Sequence, residues 1–437
     1  LHMYFKGIKF TFIIFLLILG PRAFSQEHEE EEEKEEIFVD LISANKNALF
    51  SNVAGYTFTI KNESKIIQEG TVSYEVTTPA GKPVKTSSVK VKVPISTTGK
   101  YDFSIPGLKT GVYKVNFMVN ISEYDDTIRK AFAINEKQIR SNNTRPADFD
   151  AFWNNTKAEL ALVKPQFKMT EVPDSSRDNR RVFLVEMKSL DNLTVRGWIT
   201  MPKTKRKSKK FAVLLGLPGY QVALKPMFGT DPDLAIFTLN IRGQGNSRDV
   251  IATERDDYIT YNIEDKNKYV LRGAIMDCVR AVDFIYSRPE FRHDAILASG
   301  GSLGGFLAIA TAALDSRVGL CSAQNPILSD VQNLDGIANW PIKDIRKYAE
   351  EKKIKFSDAM HTLDYFDCKN FAYNINCPTL IGVGMLDHII PPANLFAVYN
   401  NLPKKKHIIV FKDLGHEVNW RYKNYEGRWM RDTFALF

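Results

Sequence analysis

Ser302 stands in the run Ala298-Ser299-Gly300-Gly301-Ser302-Leu303-Gly304-Gly305. Ala295–Ala298 before it reads as a buried strand, and Leu303–Leu314 after it as a helix. G-x-S-x-G between a strand and a helix is the pattern of a nucleophile elbow, in which a strained turn lifts the serine out of the sheet. Small residues at Gly300 and Gly304 let strand and helix approach closely. The helix N-terminus adds a favourable dipole and free N–H groups for a developing oxyanion. A serine hydroxyl needs a base, and the base needs an orienting acid. Downstream, the apolar run Thr379–Leu386 ends in Asp387, and His407–Phe411 leads to Gly415-His416-Glu417. The order Ser302, Asp387, His416 is the one expected of an α/β-hydrolase. His416 would take the serine proton and later return it to a leaving alcohol, while Asp387 fixes the imidazole tautomer. Two alternatives stay open: Asp387 could be a strand-end carboxylate with no partner, and its neighbour His388 could compete as the base.

The elements around these residues have two textures. From Ile37 to about Asn135 the sequence alternates with period two, as in Val89-Lys90-Val91-Lys92-Val93 and Val112–Phe117. Turn signals at 79–82, 97–100 and 107–111 separate the runs, so residues 37–135 are expected to form an immunoglobulin-like β-sandwich. That region has no cluster of acid, histidine and nucleophile, and its exposed Glu123, Asp125 and Asp126 read as loop acids rather than calcium ligands. It is expected to supply no catalytic group. After Arg140 the pattern changes to an amphipathic helix over Asp148–Leu162, then strands near Val182–Lys188 and Thr194–Met201. Almost wholly apolar runs follow at Phe211–Leu217, Leu234–Ile241, Ala295–Ala298, Thr379–Val383 and His407–Phe411, with helical patterns such as Lys268–Tyr286 between them. Apolar strands alternating with helices predict a mostly parallel sheet wrapped on both faces over residues 141–437.

Composition bounds the remaining possibilities. The 437 residues are 44% hydrophobic and 25% charged, which excludes a mainly disordered or collagen-like chain. The net charge of +8 is unevenly placed. Lys6, Lys9 and Arg22 lie in the first 25 residues, and Gln26–Glu36 carries eight Glu against Lys34, so Ile37 onward is +12. Its Lys and Arg are scattered and short runs such as Lys203–Lys210 read as loops, so nucleic acid is not an expected partner. Met3–Ser25 has basic residues, the apolar stretch Phe10–Leu19 and Ala23-Phe24-Ser25 before Gln26, the layout of a cleaved export signal. Leu1 and His2 precede it as a scar or an upstream extension. An apolar stretch of about ten residues is too short to span a bilayer, which needs about 20. The expected location is therefore periplasmic or extracellular, with no membrane span after signal removal and residues 26–36 as an acidic linker.

Cys278, Cys321, Cys368 and Cys377 form no zinc pattern and are expected to be buried thiols, a Cys368–Cys377 bridge being the alternative. His416-Glu417 could begin an H-E-x-x-H site, but Trp420 holds the fifth position. Gly243-Gln244-Gly245 hints at dinucleotide binding, but Arg248 stands where the third glycine belongs. Neither a metal nor any other cofactor is expected.

Taken together, several motifs resemble the acetylxylan esterase and cephalosporin C deacetylase family of carbohydrate esterases. They are Arg242-Gly243-Gln244, the Gly300–Gly305 elbow and the terminal His416-Glu417 pair. Further agreement lies in Asp148–Trp153, Tyr365-Phe366-Asp367 with Asn370-Phe371-Ala372, and Val383–Asp387 with Pro391-Pro392. The resemblance covers about 141–437 and omits the β-region. It implies an α/β-hydrolase that removes acetyl groups from saccharides, often as a homo-oligomer, with Ser302, Asp387 and His416 as the triad. It also implies an oxyanion hole from the backbone N–H groups of Leu303 and Tyr220. Two positions depart from the family pattern: Leu303 stands where Gln is usual, and Pro218 where His is usual. Arg242, Gly243, Gln244 and Glu417 are expected to support the site, with an Arg242–Glu417 ion pair tying two loops together. The rivals are a prolyl-oligopeptidase-like peptidase, a general short-chain esterase, and a non-catalytic carbohydrate-binding protein.

Overall fold

The computed structural model describes residues 36–436 apart from 178, 205–208, 255, 256 and 404. The expected export signal, and all but the last residue of the acidic linker, lie outside the described residues. Eight strands come first: β1 (Ile37–Ser43), β2 (Leu49–Phe50), β3 (Ala54–Asn62), β4 (Gln68–Thr77), β5 (Pro83–Val93), β6 (Thr97–Ile105), β7 (Gly111–Ile121) and β8 (Tyr124–Ile134). They form a three-stranded sheet in the order β1-β3-β6 and a five-stranded sheet in the order β2-β8-β7-β4-β5. Period-two sequence becomes one-sided burial: in β3, every second residue from Ala54 to Asn62 is buried. The inward faces share one core, where Tyr56 meets Phe117 at 4.9 Å and Tyr74 meets Phe103 at 5.6 Å across the gap between the sheets.

The second region begins with α1 (Phe149–Leu162), β9 (Lys168–Glu171), β10 (Arg180–Lys188), β11 (Thr194–Pro202), β12 (Phe211–Leu217) and β13 (Leu234–Asn240). It continues through α2 (Val270–Tyr286), β14 (Phe291–Gly301), α3 (Leu303–Leu314), β15 (Leu320–Gln324), α4 (Ile342–Lys352) and α5 (Phe356–Asp364). Last come α6 (Cys368–Ala372), β16 (Thr379–Gly384), α7 (Pro392–Asn401), β17 (Lys406–Phe411) and α8 (Trp420–Phe434). The nine strands run in the order β17-β16-β15-β14-β12-β13-β11-β10-β9. Pairing is parallel from β17 to β13 and antiparallel from β13 to β9. Val213 and Leu215 of β12 face a core built with α2 and α3, while Ala212 faces one closed by Met430 and Phe434 of α8. Helices on both faces bury β13 and β16 at every position, as an all-apolar strand requires. This is an α/β-hydrolase fold preceded by a β-sandwich.

Strand β15 carries no clear sequence signal, because Ser322 and Gln324 break its apolar run. Both are buried. The Ser322 hydroxyl lies 2.8 Å from the Tyr422 hydroxyl of α8, so its polarity is satisfied inside the core. All four cysteines are free thiols, so the alternative Cys368–Cys377 bridge is not formed. Burial pushes the thiol pKa values of Cys278, Cys321 and Cys368 well up, and that of Cys377 to about 11.

Residues 37–436 belong to one compact unit, and the sandwich is seated on the nine-stranded sheet's own core. Val112, Ala131 and Ala133, on the outer face of β7 and β8, join the hydrophobic cluster of the second region. Around them, the Asn400 side chain of α7 donates to the carbonyls of Glu136 and Ile139, both at 2.8 Å. Lys130 pairs with Asp413 at 2.7 Å.

Candidate active site

Strand order reverses direction at β12, with β13 on one side and β14 on the other, and clefts in open α/β sheets form beyond the strands' carboxyl ends at such a point. Ser302 sits there, between the end of β14 and the start of α3. Its φ of 57° and ψ of −121° are a conformation costing of order 1–3 kcal/mol for a residue with a side chain. Backbone bonds hold it: the Ser302 N–H donates to the Gln324 carbonyl at 2.9 Å, and its own carbonyl accepts from Ile327 at 3.2 Å. The glycines are needed for contact. A Cβ on Gly300 would lie 2.4 Å from the Gly304 carbonyl carbon, and one on Gly304 would lie 2.3 Å from the Leu217 carbonyl oxygen. The same closeness carries the chain after β12 across the elbow, placing the turn Gly219–Val222, which contains Tyr220, beside it. Leu303 occupies the first helical position, whose N–H has no partner within a helix.

The partners arrive from the loops that follow β16 and β17. The His416 Nε2 is 2.9 Å from the Ser302 Oγ, and its Nδ1 is 2.7 Å from the Asp387 Oδ2. The other carboxylate oxygen of Asp387 accepts the N–H groups of Ile389 and Ile390 at 2.8 and 2.9 Å. With the side chain buried and both oxygens engaged, the carboxylate can only accept, so Nδ1 carries the imidazole proton and Nε2 faces the serine as an acceptor. His388 is exposed and lines a cavity that the sandwich also lines, and it is His416 that lies within hydrogen-bond reach of the serine.

Two residues absent from the sequence expectations join these loops. The Asn325 side chain accepts from the Gly384 N–H at 2.9 Å and donates to the Gly415 carbonyl at 3.2 Å, linking the Asp387 and His416 loops. Gln324 donates to the Glu417 carbonyl at 3.0 Å and accepts from the Asn419 N–H at 3.2 Å, while its own carbonyl holds Ser302. Both are 1% exposed; the signal for them is a pair of amides at a strand end, and the polar Ser322 and Gln324 mask that strand in the sequence.

The expected Arg242–Glu417 pair is not formed. Arg242 is buried and makes two side-chain hydrogen bonds to Asp277, at 3.0 and 2.9 Å, with Asp191 at 2.9 Å and the Leu190 carbonyl at 3.0 Å. Glu417 is exposed, and only its carbonyl is bound into the site. The reason is placement: Asp277 projects from α2 directly under the end of β13, where a buried guanidinium needs a carboxylate. Burial alone would lower the Arg242 pKa, but Asp277 and Asp191 outweigh it and hold it above its ordinary value. Arg242 therefore buttresses the Tyr220 side of the site. Its carbonyl accepts the Tyr258 hydroxyl at 2.9 Å, the Tyr258 ring packs edge-on to Tyr220 at 6.0 Å, and the Tyr220 hydroxyl accepts from the Ile259 N–H at 3.2 Å. Gly243 takes a φ of 77° in the turn between them, and Gln244 is buried in that turn. Among the described residues no group of three or more His, Cys, Asp or Glu could hold a metal, and no helix is long and apolar enough to cross a membrane.

Known proteins place this arrangement. Residues 132–432 match the acetyl xylan esterase (AXE1) family. An acetyl esterase of Xylanibacter ruminicola is 29% identical over 280 residues, covering 61% of this chain. The match spans 62% of that relative's length. The solved acetyl xylan esterase of Paenibacillus sp. R4 is 28% identical with a TM-score of 0.60, covering 68% of this chain and 98% of its own. Acetyl xylan esterase 1 of Thermoanaerobacterium sp. JW/SL YS485 shares the fold, at 23% identity and a TM-score of 0.60 over 68% of this chain and 97% of its own. A strand–elbow–helix serine, an acid and a histidine after the next strands, and a match across more than half its length make this chain a member of the acetyl xylan esterase family.

Proposed function

We propose that the protein is a serine esterase that removes acetyl groups from acetylated xylan or related saccharides. The observation that carries this is the unbroken chain Ser302–His416–Asp387, with hydrogen bonds of 2.9 and 2.7 Å ending on a carboxylate fixed by two backbone N–H groups. In this mechanism the Ser302 Oγ attacks the acetyl carbonyl carbon while His416 Nε2 takes its proton. The oxygen that becomes negative is met by the N–H groups of Leu303 and Tyr220, and a donor of that kind is worth roughly 10²–10³ in rate. Collapse of the tetrahedral intermediate breaks the bond to the sugar oxygen, which receives the proton from Nε2. Water then attacks the acetyl-serine, with His416 again as base, and releases acetate. Membership of the family supports the choice of substrate. The apolar stretch Phe10–Leu19 behind Lys6 and Lys9 supports an exported protein, where such polymers are met. The test is labelling by a fluorophosphonate probe together with acetate release from acetylated xylan. Labelling confined to Ser302 with acetate release supports the proposal; an unlabelled protein that releases no acetate overturns it.

A further inference from the structure

Beside the triad, the sandwich and the catalytic region enclose a cavity of about 340 Å³. Such a volume lies within the ~300–1,000 Å³ range of small-molecule sites. One wall is the outer face of β7 and β8, and the other is the loop Met385–His388 with Pro391 and Ile337. The register of β7 and β8 grades this face. Val112 sits opposite Ala133 in the buried seam, Lys114 opposite Ala131 at its edge, and Asn116 opposite Arg129 in the cavity. The residues that follow the apolar seam are thus an amide and two cations. The Arg129 side chain is exposed and has no hydrogen bond or ion pair among the described residues, and the Lys114 side chain bonds only the Pro79 carbonyl at 3.2 Å among them. Lys130, nearby, is already paired with Asp413. The acid on the opposite wall, Asp387, has both carboxylate oxygens engaged, by His416 and by two backbone N–H groups.

We infer that this cavity is a subsite for a carboxylate-bearing sugar, a uronic acid residue on the same saccharide whose acetyl group is at Ser302. This rests on the reading of the protein as a saccharide deacetylase. Three features select that ligand chemistry. Two cations without a carboxylate partner suit an anion, and charge-assisted hydrogen bonds to a carboxylate are the stronger kind. Asn116 and Asn339 offer amides to hydroxyls. Ile337, Leu386 and Pro391 offer an apolar surface to the C–H face of a ring. The position selects the tether: Asp387 forms part of the wall and is two hydrogen bonds from Ser302 Oγ. A ligand joined to the reacting sugar gains from the raised local concentration that linkage supplies.

The experiment uses the full chain and its Lys114→Gln/Arg129→Gln variant. Three substrates are compared: an acetylated xylo-oligosaccharide carrying a uronic acid branch, its unbranched neutral equivalent, and p-nitrophenyl acetate. In the unaltered protein the acidic substrate should have a kcat/KM about tenfold above the neutral one, equal to ~1.4 kcal/mol. That advantage should shrink with added salt, since exposed charges are screened. The variant should lose it through KM while its activity on p-nitrophenyl acetate, which reports folding and the triad, is unchanged. Equal handling of acidic and neutral saccharides by the unaltered protein overturns the subsite, as does an equal loss on all three substrates in the variant. Calorimetric titration with the deacetylated, uronate-bearing oligosaccharide separates this inference from the deacetylase reading. Binding by the unaltered protein and not by the variant supports the cavity even if no saccharide loses acetate, and absence of binding in both overturns it.

Discussion

In the sandwich, β3 buries alternate side chains, whereas β13 and β16 of the catalytic sheet are buried at every position. The two regions use the same extended backbone to different ends. A sheet with helices on both faces has only strand ends left for chemistry, and Ser302, Asp387 and His416 all lie just beyond strand ends. A sheet with one buried face keeps a second face free. In β7 and β8 that face is divided between an apolar seam on the catalytic core and a cationic patch at the cavity beside Asp387. The proposed reaction chemistry is therefore concentrated in one region, while the other region contributes a wall to the neighbouring cavity.

The largest expected effect tests that division directly. Ser302→Ala and His416→Ala should each lower esterase activity by roughly 10³-fold or more, because triad members act as a unit. His388→Ala, on the side facing the sandwich, should retain most activity. An essential His388 with a dispensable His416, read from kcat/KM on p-nitrophenyl acetate, would move the base to the interface and break the comparison.

Next in size are the ion pairs. Asp277→Ala removes the buried carboxylate of Arg242 and leaves it only the more exposed Asp191 and the Leu190 carbonyl, and removing one partner of a buried pair costs about 3–5 kcal/mol. The Lys130–Asp413 pair at the sandwich edge is partly exposed, and such pairs contribute ~0–1 kcal/mol. Urea unfolding of Asp277→Ala and Lys130→Ala should show that contrast. Equal losses would mean that the interface is as strongly ordered by charge as the catalytic core.

The smallest effect on chemistry is expected from removing the sandwich. A chain beginning at Ser141 should keep most of its activity on p-nitrophenyl acetate, because every triad atom and both proposed oxyanion donors remain. It should also melt at a lower temperature, since removal of Val112, Ala131 and Ala133 uncovers the core they cap. A folded but inactive truncated chain would show that the wall is needed to shape the site.

Much of this molecule is legible in order along the chain. The elbow can be read from Gly300–Gly305 because its demands are local: small residues where strand meets helix, and a serine between them. The triad order could be read because each later member follows an apolar strand. The sandwich could be read from period two. Gln324 and Asn325 could not, because their strand has polar residues whose partners lie about 60 to 100 residues away, at Gly384, Glu417 and Tyr422. Arg242 shows the same limit: its motif marks it as important, but nothing in the spacing says that Asp277 and not Glu417 will meet it.

The sequence by itself determined the local chemistry, the two textures and the candidate catalytic groups, since these follow from residue type and short-range spacing. Tertiary structure alone decided which charges meet and where the outer face of β7 and β8 is seated. Those outcomes depend on which surfaces and side chains are brought within a few ångströms of each other, and burial selects partners by position in space, whatever their separation along the chain.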